Sequence, residues 1–460
     1  MTMFGRVKHV HFVGVGGAGM SGIAEVLLNL GYVVSGSDLA STETTARLAR
    51  LGGRIRQGHD AGNIEGADVV VTSTAVPQTN AEVTAARRAH IPVIPRVEML
   101  AELMRMKYSV AVGGTHGKTT TTSLISEVLS RGGLDPTVVV GGKLKTLETG
   151  AHLGTSEYMV AEADESDGSF LKLSPTVAVI TTVDEEHLDH YAGIEEIKEA
   201  FVTFGNSVPF YGCSIVCIDE RNIQSIVADI ERRVITYGLA TQADVRAVDP
   251  DLERAKPSFD VVAGDTELGR IETTMPGLHN VYNSLASVAV GLELGVPFEH
   301  IRDALGSFEG ISRRFETKGE VHDVLVLDDY GHHPAEVRAT LRAAARRWDR
   351  RLVVLFQPHR YSRTAKLADE FGRSFHDASI LLVTGVYAAS EEPIEGVSGM
   401  NVVDAARRYG HHAAEYVEDR GELRRRALEI IEPGDVVITL GAGDIYRVGE
   451  EILEELGGRA

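Results

Sequence analysis

The sequence predicts an α/β protein of three domains, on three observations. Short apolar runs alternate with stretches whose apolar residues recur at helical spacing, the pattern that builds parallel sheets. Two glycine-rich turns, Gly14–Gly19 and Gly113–Gly117, each stand between an apolar run and such a helical stretch. A chain of 460 residues also corresponds to roughly three domains at a soft prior of about 150 residues each. The expected divisions are 1–106, 107–311 and 312–460.

Bulk composition narrows the class. Hydrophobic content of 43% and a mean hydropathy of −0.04 describe a soluble globular protein. Met1–Lys8 lacks the apolar core of a signal peptide, and no apolar run approaches the roughly 20 residues of a membrane span. A cytoplasmic location is expected. Net charge of −20 argues against nucleic acid as a partner, and phosphate substrates would need local cations to overcome that field. Cys213 and Cys217 fall four apart in one apolar stretch, where buried thiols are expected rather than a disulfide.

In the first domain, Val10–Val13 leads into Gly14-Val15-Gly16-Gly17-Ala18-Gly19, which fits G-x-G-x-x-G. A helix carrying Ile23, Val26, Leu27 and Leu30 follows, then a strand ending at Asp38, about where a dinucleotide-binding Rossmann-like fold places its ribose-binding acid. The literal reading is NAD; a plain packing turn and another diphosphate, such as a nucleotide sugar, are the alternatives. Asp68–Thr72 reads as a strand opening onto Ser73, Ala81–Ala89 as a helix and Pro92–Pro95 as a further extended piece.

The second domain is organised around Gly114-Thr115-His116-Gly117-Lys118-Thr119-Thr120, between the apolar run Tyr108–Val112 and a helix. The exposed amides and dipole of a helix N-terminus favour an anion there. Lys118 can reach β/γ-phosphates, and the Thr119 hydroxyl can ligate Mg²⁺. Two acidic clusters lie at later strand ends: Glu162-Ala163-Asp164-Glu165-Ser166-Asp167 after Tyr158–Ala161, and Asp184–Tyr191, with His187 and Asp189, after Val177–Thr181. Ligands of open α/β sheets bind beyond such ends, so the coincidence points to a metal beside a triphosphate. Asn280 and Asn283 stand three apart at the start of an apolar helix, suited to a base edge or to helix capping.

The third domain repeats a doubly wound, Rossmann-like alternation. Val324–Leu327 ends in Asp328–Pro334, Leu352–Phe356 in Gln357–Thr364, and Val436–Leu440 in Gly441–Asp444. Arg360 and Arg363 can clamp a carboxylate or phosphate, while Asp329 and His332 suit an amine.

These motifs, in this order, resemble the Mur ligase family, the ATP-dependent amide-forming enzymes of bacterial peptidoglycan synthesis. Gly114–Thr120 matches the family's own phosphate loop, G-T-x-G-K-T-[ST], which accommodates Val112 where a stricter pattern wants glycine. Within the family, Gly14–Gly22 is closest to the branch that adds L-alanine to UDP-N-acetylmuramate.

The resemblance implies that this nucleotide sugar lies at Gly14, Gly16, Gly17, Ala18, Gly19, Met20 and Ser21, with Asp38 and Ser73. It implies ATP on Gly114–Thr120 with its adenine near Asn280 and Asn283. One Mg²⁺ is placed at Thr119 and Glu162 (with Glu165 the alternative acid) and a second at His187, Mn²⁺ being able to substitute. It brings the amino acid to Asp329, Tyr330, His332, Arg360 and Arg363, and gives Lys118, His187, Asp329 and His332 catalytic tasks. The rival readings are a ligase attaching a whole tripeptide to the same muramate, a NAD-dependent oxidoreductase and a nucleotide-binding switch.

Overall fold

The structure, a computed structural model, describes residues 6–458 apart from 74, 145–148, 188–189, 254–255 and 390, and the side chains at 18 and 141–150 are outside the description. The chain forms two compact units. One comprises Met1–Asp249, Phe259–Glu272 and Val281–Glu309, and the other Pro250–Ser258, Thr273–Asn280 and Gly310–Ala460.

The first unit holds two sheets. Five parallel strands make the first, in the order Arg54–Gln57, Val33–Asp38, His9–Val13, Val69–Thr72, Val93–Pro95. Val10, Phe12, Val13, Val70 and Val71 are fully buried, as strands covered on both faces require. Each such side chain contributes roughly 1.5–3 kcal/mol. The chain reverses direction of growth at His9–Val13, so a crevice opens beyond its carboxyl end, where the Gly14 turn sits. The outer strand Arg54–Gln57 and the helix Glu43–Arg50 were not expected. An edge strand reading Arg-Ile-Arg-Gln has no apolar run to reveal it, and its charges suit an exposed edge.

Ten strands form the second sheet. Its core order is Cys213–Cys217, Val177–Ile180, Tyr108–Gly113, Tyr158–Glu162, Thr137–Leu144, all parallel. Tyr108–Gly113 therefore lies between the two strands that end in acidic clusters, with Val112 opposite Glu162 and Gly113 opposite Ile180. Phe170 packs on Phe201 and Phe204 at ring separations of 5.4 and 5.2 Å, closing the core beneath that end. Cys213 and Cys217 are buried free thiols at the two ends of one strand, and burial pushes each up to about 12.

The second unit has six strands, ordered Glu316–Val321, Val324–Asp329, Val436–Leu440, Leu352–Phe356, Ile380–Val383, Ala414–Tyr416. All neighbours are parallel except the outermost Glu316–Val321. One core face gathers Leu327, Val337, Leu341, Phe356 and Phe371; the other gathers Val326, Leu355, Ile445 and Val448. Three sheets, largely parallel, answer the fold class expected from the sequence. Among the described residues, no helix is long and apolar enough to cross a membrane.

Candidate active site

The phosphate loop is built by backbone that only glycine adopts easily. Gly114 and Gly117 have φ of 131° and 80°, and a Cβ on Gly114 would lie 3.0 Å from the Thr181 and Thr182 amide nitrogens. The helix Lys118–Arg131 then starts without a side-chain cap. Its first amides have no intrahelical acceptors, the property that makes such a turn an anion cradle. The loop is strapped to the next strand end. Thr115 N–H donates to the Thr182 carbonyl, His116 N–H to the Thr182 hydroxyl, and Asp184 N–H to the Thr115 hydroxyl, at 2.8–2.9 Å.

Lys118 Nζ donates to the Gly114 carbonyl at 2.6 Å and to Glu165 Oε1 at 2.9 Å. Burial presses the ammonium down, but Glu165 and Asp164 outweigh it, so Lys118 is held above its ordinary range and stays charged. Glu165 is 2% exposed, and its other oxygen, Oε2, is buried with no hydrogen-bond partner among the described residues. His187 Nε2 stands 3.4 Å from Glu165 Oε1. Tyr191 ties the pair together, its hydroxyl donating to the Glu165 carbonyl at 2.7 Å and its N–H to the His187 carbonyl at 3.0 Å. His187 itself holds φ of 55°, uncommon for a non-glycine residue. A buried carboxylate oxygen without a donor, beside an imidazole, is a donor set that suits a hard divalent cation. Glu162 ends its strand beside Val112. Asp189 lies outside the described residues.

The asparagines carry contacts that their spacing did not foretell. Thr121 donates to Asn283 Oδ1 at 3.1 Å, and a Cβ on Gly117 would meet that oxygen at 2.7 Å, so Asn283 braces the phosphate loop. Asn280 Nδ2 donates to the Pro276 carbonyl at 2.7 Å.

At the other turn, Gly14 has φ of 76°, and Gly14 and Val15 both donate to the Ser37 carbonyl. Asp38 braces the turn: Oδ2 accepts from Gly16 N–H at 2.8 Å and Oδ1 from Ala40 N–H at 3.2 Å. Beneath it lies a buried network that sequence reasoning missed. Glu82 accepts from Ser37 Oγ and Asn63 Nδ2, both at 2.5 Å, with His59 at 3.3 Å and His11 at 3.7 Å. Burial alone would raise its carboxyl, yet His11, Ser37 and Asn63 hold it at about 2. Ser73 follows the neighbouring strand Val69–Thr72.

In the second unit, three loops meet at adjacent strand ends. His332 packs edge-on to His359 at 5.4 Å, and Gln357 Nε2 donates to Asp444 at 3.0 Å. Arg313, just inside the range expected for the third domain, joins them. It donates to the Gly441 carbonyl at 2.5 Å and to Asp328 at 3.1 Å, with its guanidinium over the Tyr330 and Tyr446 rings.

Asp329 is anchored within its own loop. Its carboxylate accepts from the Phe315 and Gly331 amides at 2.8 Å and from the Thr340 hydroxyl at 3.1 Å, and burial pushes it up to about 6. It shapes the loop. His332 Nδ1 faces the Tyr330 carbonyl at 3.1 Å, which assigns a proton to Nδ1. Arg363 Nη1 meets His359 Nδ1 at 3.1 Å, and Arg360 starts the same short helix with φ of 68°.

Similarity to known proteins extends over nearly the whole chain. Residues 9–108 match the Mur ligase family catalytic domain, 112–291 the Mur ligase middle domain and 313–443 the Mur ligase glutamate ligase domain. A UDP-N-acetylmuramate–L-alanine ligase of Geobacter sulfurreducens is 56% identical over 99% of both chains. The chain belongs to the Mur ligase family. A second ligase of that name, from Geotalea uraniireducens, is 55% identical over 99% of this chain and 100% of its own. The solved UDP-N-acetylmuramate–alanine ligase of Thermotoga maritima superposes with a TM-score of 0.83 at 29% identity, covering 98% of this chain and 100% of its own. In this Mur ligase the phosphate loop and both acidic strand ends fall inside the middle-domain match.

Proposed function

We propose that the chain joins L-alanine to the lactyl carboxylate of UDP-N-acetylmuramate at the expense of ATP, a step of peptidoglycan precursor synthesis. The observation that carries the reading is the Lys118–Glu165–His187 cluster at the mouth of the phosphate loop, in a chain 56% identical to a ligase of that name.

The parts divide the work. The muramate carboxylate attacks the γ-phosphate of ATP, forming an acyl phosphate and ADP; the alanine amine then attacks the acyl carbon and expels phosphate. Lys118 and the first-turn amides of Lys118–Arg131 hold the β- and γ-phosphates and offset the charge spread over the transferring group. Thr119 with Glu162, and His187 with Glu165, are the residues that would hold two Mg²⁺ ions, or Mn²⁺ in their place. Bound there, the ions supply charge neutralisation at the phosphates. Glu165 also orients Lys118 through their 2.9 Å hydrogen bond. In the third sheet's loops, Arg360 and Arg363 take the alanine carboxylate, Tyr330 walls the methyl group, and His332 Nε2 accepts the amine proton. Asp329 acts on these groups by holding Phe315 and Gly331 in place. Asn280 and Asn283 frame the adenine side of the loop, and Gly14–Ser21 with Asp38 and Ser73 takes the UDP moiety.

ADP release, measured with ATP and UDP-N-acetylmuramate, with and without L-alanine, tests the whole. Rapid release is expected only when all three are present. Faster turnover with L-alanyl-γ-D-glutamyl-diaminopimelate than with L-alanine would transfer the reading to the tripeptide ligase. Release indifferent to both acceptors would leave only a nucleotide switch.

A further inference from the structure

We infer that Arg96 is a ligand for the diphosphate of the nucleotide sugar, held ready for it by Asp164. The inference rests on the proposed placement of that substrate at the Gly14–Gly19 turn.

Arg96 opens the helix Arg96–Met104, just after the last strand of the first sheet. Its guanidinium lies against Gly19, the last glycine of the turn. A Cβ on Gly19 would stand 2.9 Å from Arg96 Cζ and 3.2 Å from Cδ, so the arginine occupies this position because residue 19 has no side chain. A guanidinium has five N–H donors. Among the described residues Arg96 makes one hydrogen bond, a long one of 3.5 Å from Nη2 to Asp164 Oδ2, and its side chain is 29% exposed. Four donors are left for a ligand, in the planar fork that suits phosphate oxygens.

Asp164 supplies the other half. It lies in the acidic strand end next to Glu165, and accepts from Ser166 N–H at 3.2 Å. Its Oδ2 lies 3.5 Å from Arg96 Nη2, and its charge also acts on Lys118. One carboxylate thus lies between the arginine at the diphosphate turn and the lysine of the phosphate loop. A net charge of −20 makes such a local cation necessary for a dianionic linkage. The sequence hides this, because Pro95-Arg96-Val97 reads only as a strand running into a helix.

The test compares UDP-N-acetylmuramate, UDP, UMP and ATP by isothermal titration on wild type, Arg96→Ala, Arg96→Lys and Gly16→Ala. Losing charge-assisted hydrogen bonds to a phosphate should weaken UDP and UDP-N-acetylmuramate about 10- to 100-fold in Arg96→Ala. UMP and ATP should change little, so the preference for UDP over UMP collapses, and Arg96→Lys should restore part of it. An arginine that merely props the helix would weaken UMP and UDP alike, and that outcome overturns the inference. Gly16→Ala separates the two levels: its Cβ would press on Asp38 Oδ2 at 2.8 Å and spoil the turn. Nucleotide-sugar binding lost in Gly16→Ala but kept in Arg96→Ala rejects Arg96 alone. Binding kept in both rejects the placement of the substrate.

Discussion

Lys118 and Glu165 form one ion pair: the Nζ of one is 2.9 Å from the Oε1 of the other, and the carboxylate is only 2% exposed. The lysine proposed to neutralise the transferring phosphoryl is thereby also the partner of a buried anion. Substituting it acts on chemistry and on stability at once.

Lys118→Ala should lower kcat by at least ~10²-fold. It should also lower the unfolding midpoint, since removing one partner of a buried pair costs about 3–5 kcal/mol. Adding Glu165→Gln should recover much of the midpoint and none of the activity. Thermal unfolding beside alanine-dependent phosphate release checks both halves. A double variant no more stable than Lys118→Ala would show that the ion pair is not what holds this loop.

Glu165 and His187, 3.4 Å apart, are expected to serve one ion. Glu165→Gln and His187→Ala should each raise the Mg²⁺ concentration for half-maximal activity, and the double variant should add little to either. Glu162→Ala should raise it independently, as ligand of the other ion. Activity titrated against Mg²⁺ in the four variants gives the cycle. Additive effects of Glu165 and His187 would place them on different ions.

Arg363 Nη1 donates to His359 Nδ1 at 3.1 Å, in the loop facing His332. Arg363→Ala should raise KM for L-alanine by at least ~10-fold and leave the affinities of ATP and UDP-N-acetylmuramate nearly unchanged. Glycine and serine should be poorer substrates without being excluded, one methylene being worth only ~1–3 kcal/mol. Equal losses in nucleotide affinity would assign the arginine to phosphates.

Asp329 titrates at about 6 against an ordinary 3.8. An acid whose folded value is raised contributes stability that is full below the unfolded value and lost as pH rises through the folded one. The stability difference between wild type and Asp329→Asn should therefore shift in favour of the variant between about pH 4 and 6, by on the order of 3 kcal/mol. Denaturant unfolding at pH 4.5 and 7.5 measures it. A pH-independent difference would contradict a raised carboxyl.

Glu82 is the opposite case, held at about 2 against 4.5 and fully buried. Its stabilisation is present above pH 4.5 and disappears as pH falls through 2, again on the order of 3 kcal/mol. Glu82→Gln should be less stable at neutral pH and converge on wild type in acid. Because Ser37 links Glu82 to the Gly14 turn, the variant should also weaken UDP-N-acetylmuramate more than ATP. Unfolding curves across pH and paired titrations of the two nucleotides provide the measurements.

Local chemistry by itself determined the three largely parallel sheets, the phosphate loop, the acidic strand ends and the buried thiols. Apolar runs, glycine turns and the Gly-Lys-Thr stretch act through neighbours close in the chain, so their consequences can be read in one dimension. What only the tertiary structure decided were pairings across long separations. Glu165 closes on Lys118 over 47 residues, Glu82 on Ser37 over 45, and Arg96 on Asp164 over 68. The same holds for Asp329, on whose carboxylate Phe315, Gly331 and Thr340 converge. A side chain's role depends on which donors reach it and on how much water is left around it. Parallel crossovers assign both by joining strand ends that the sequence keeps dozens of residues apart.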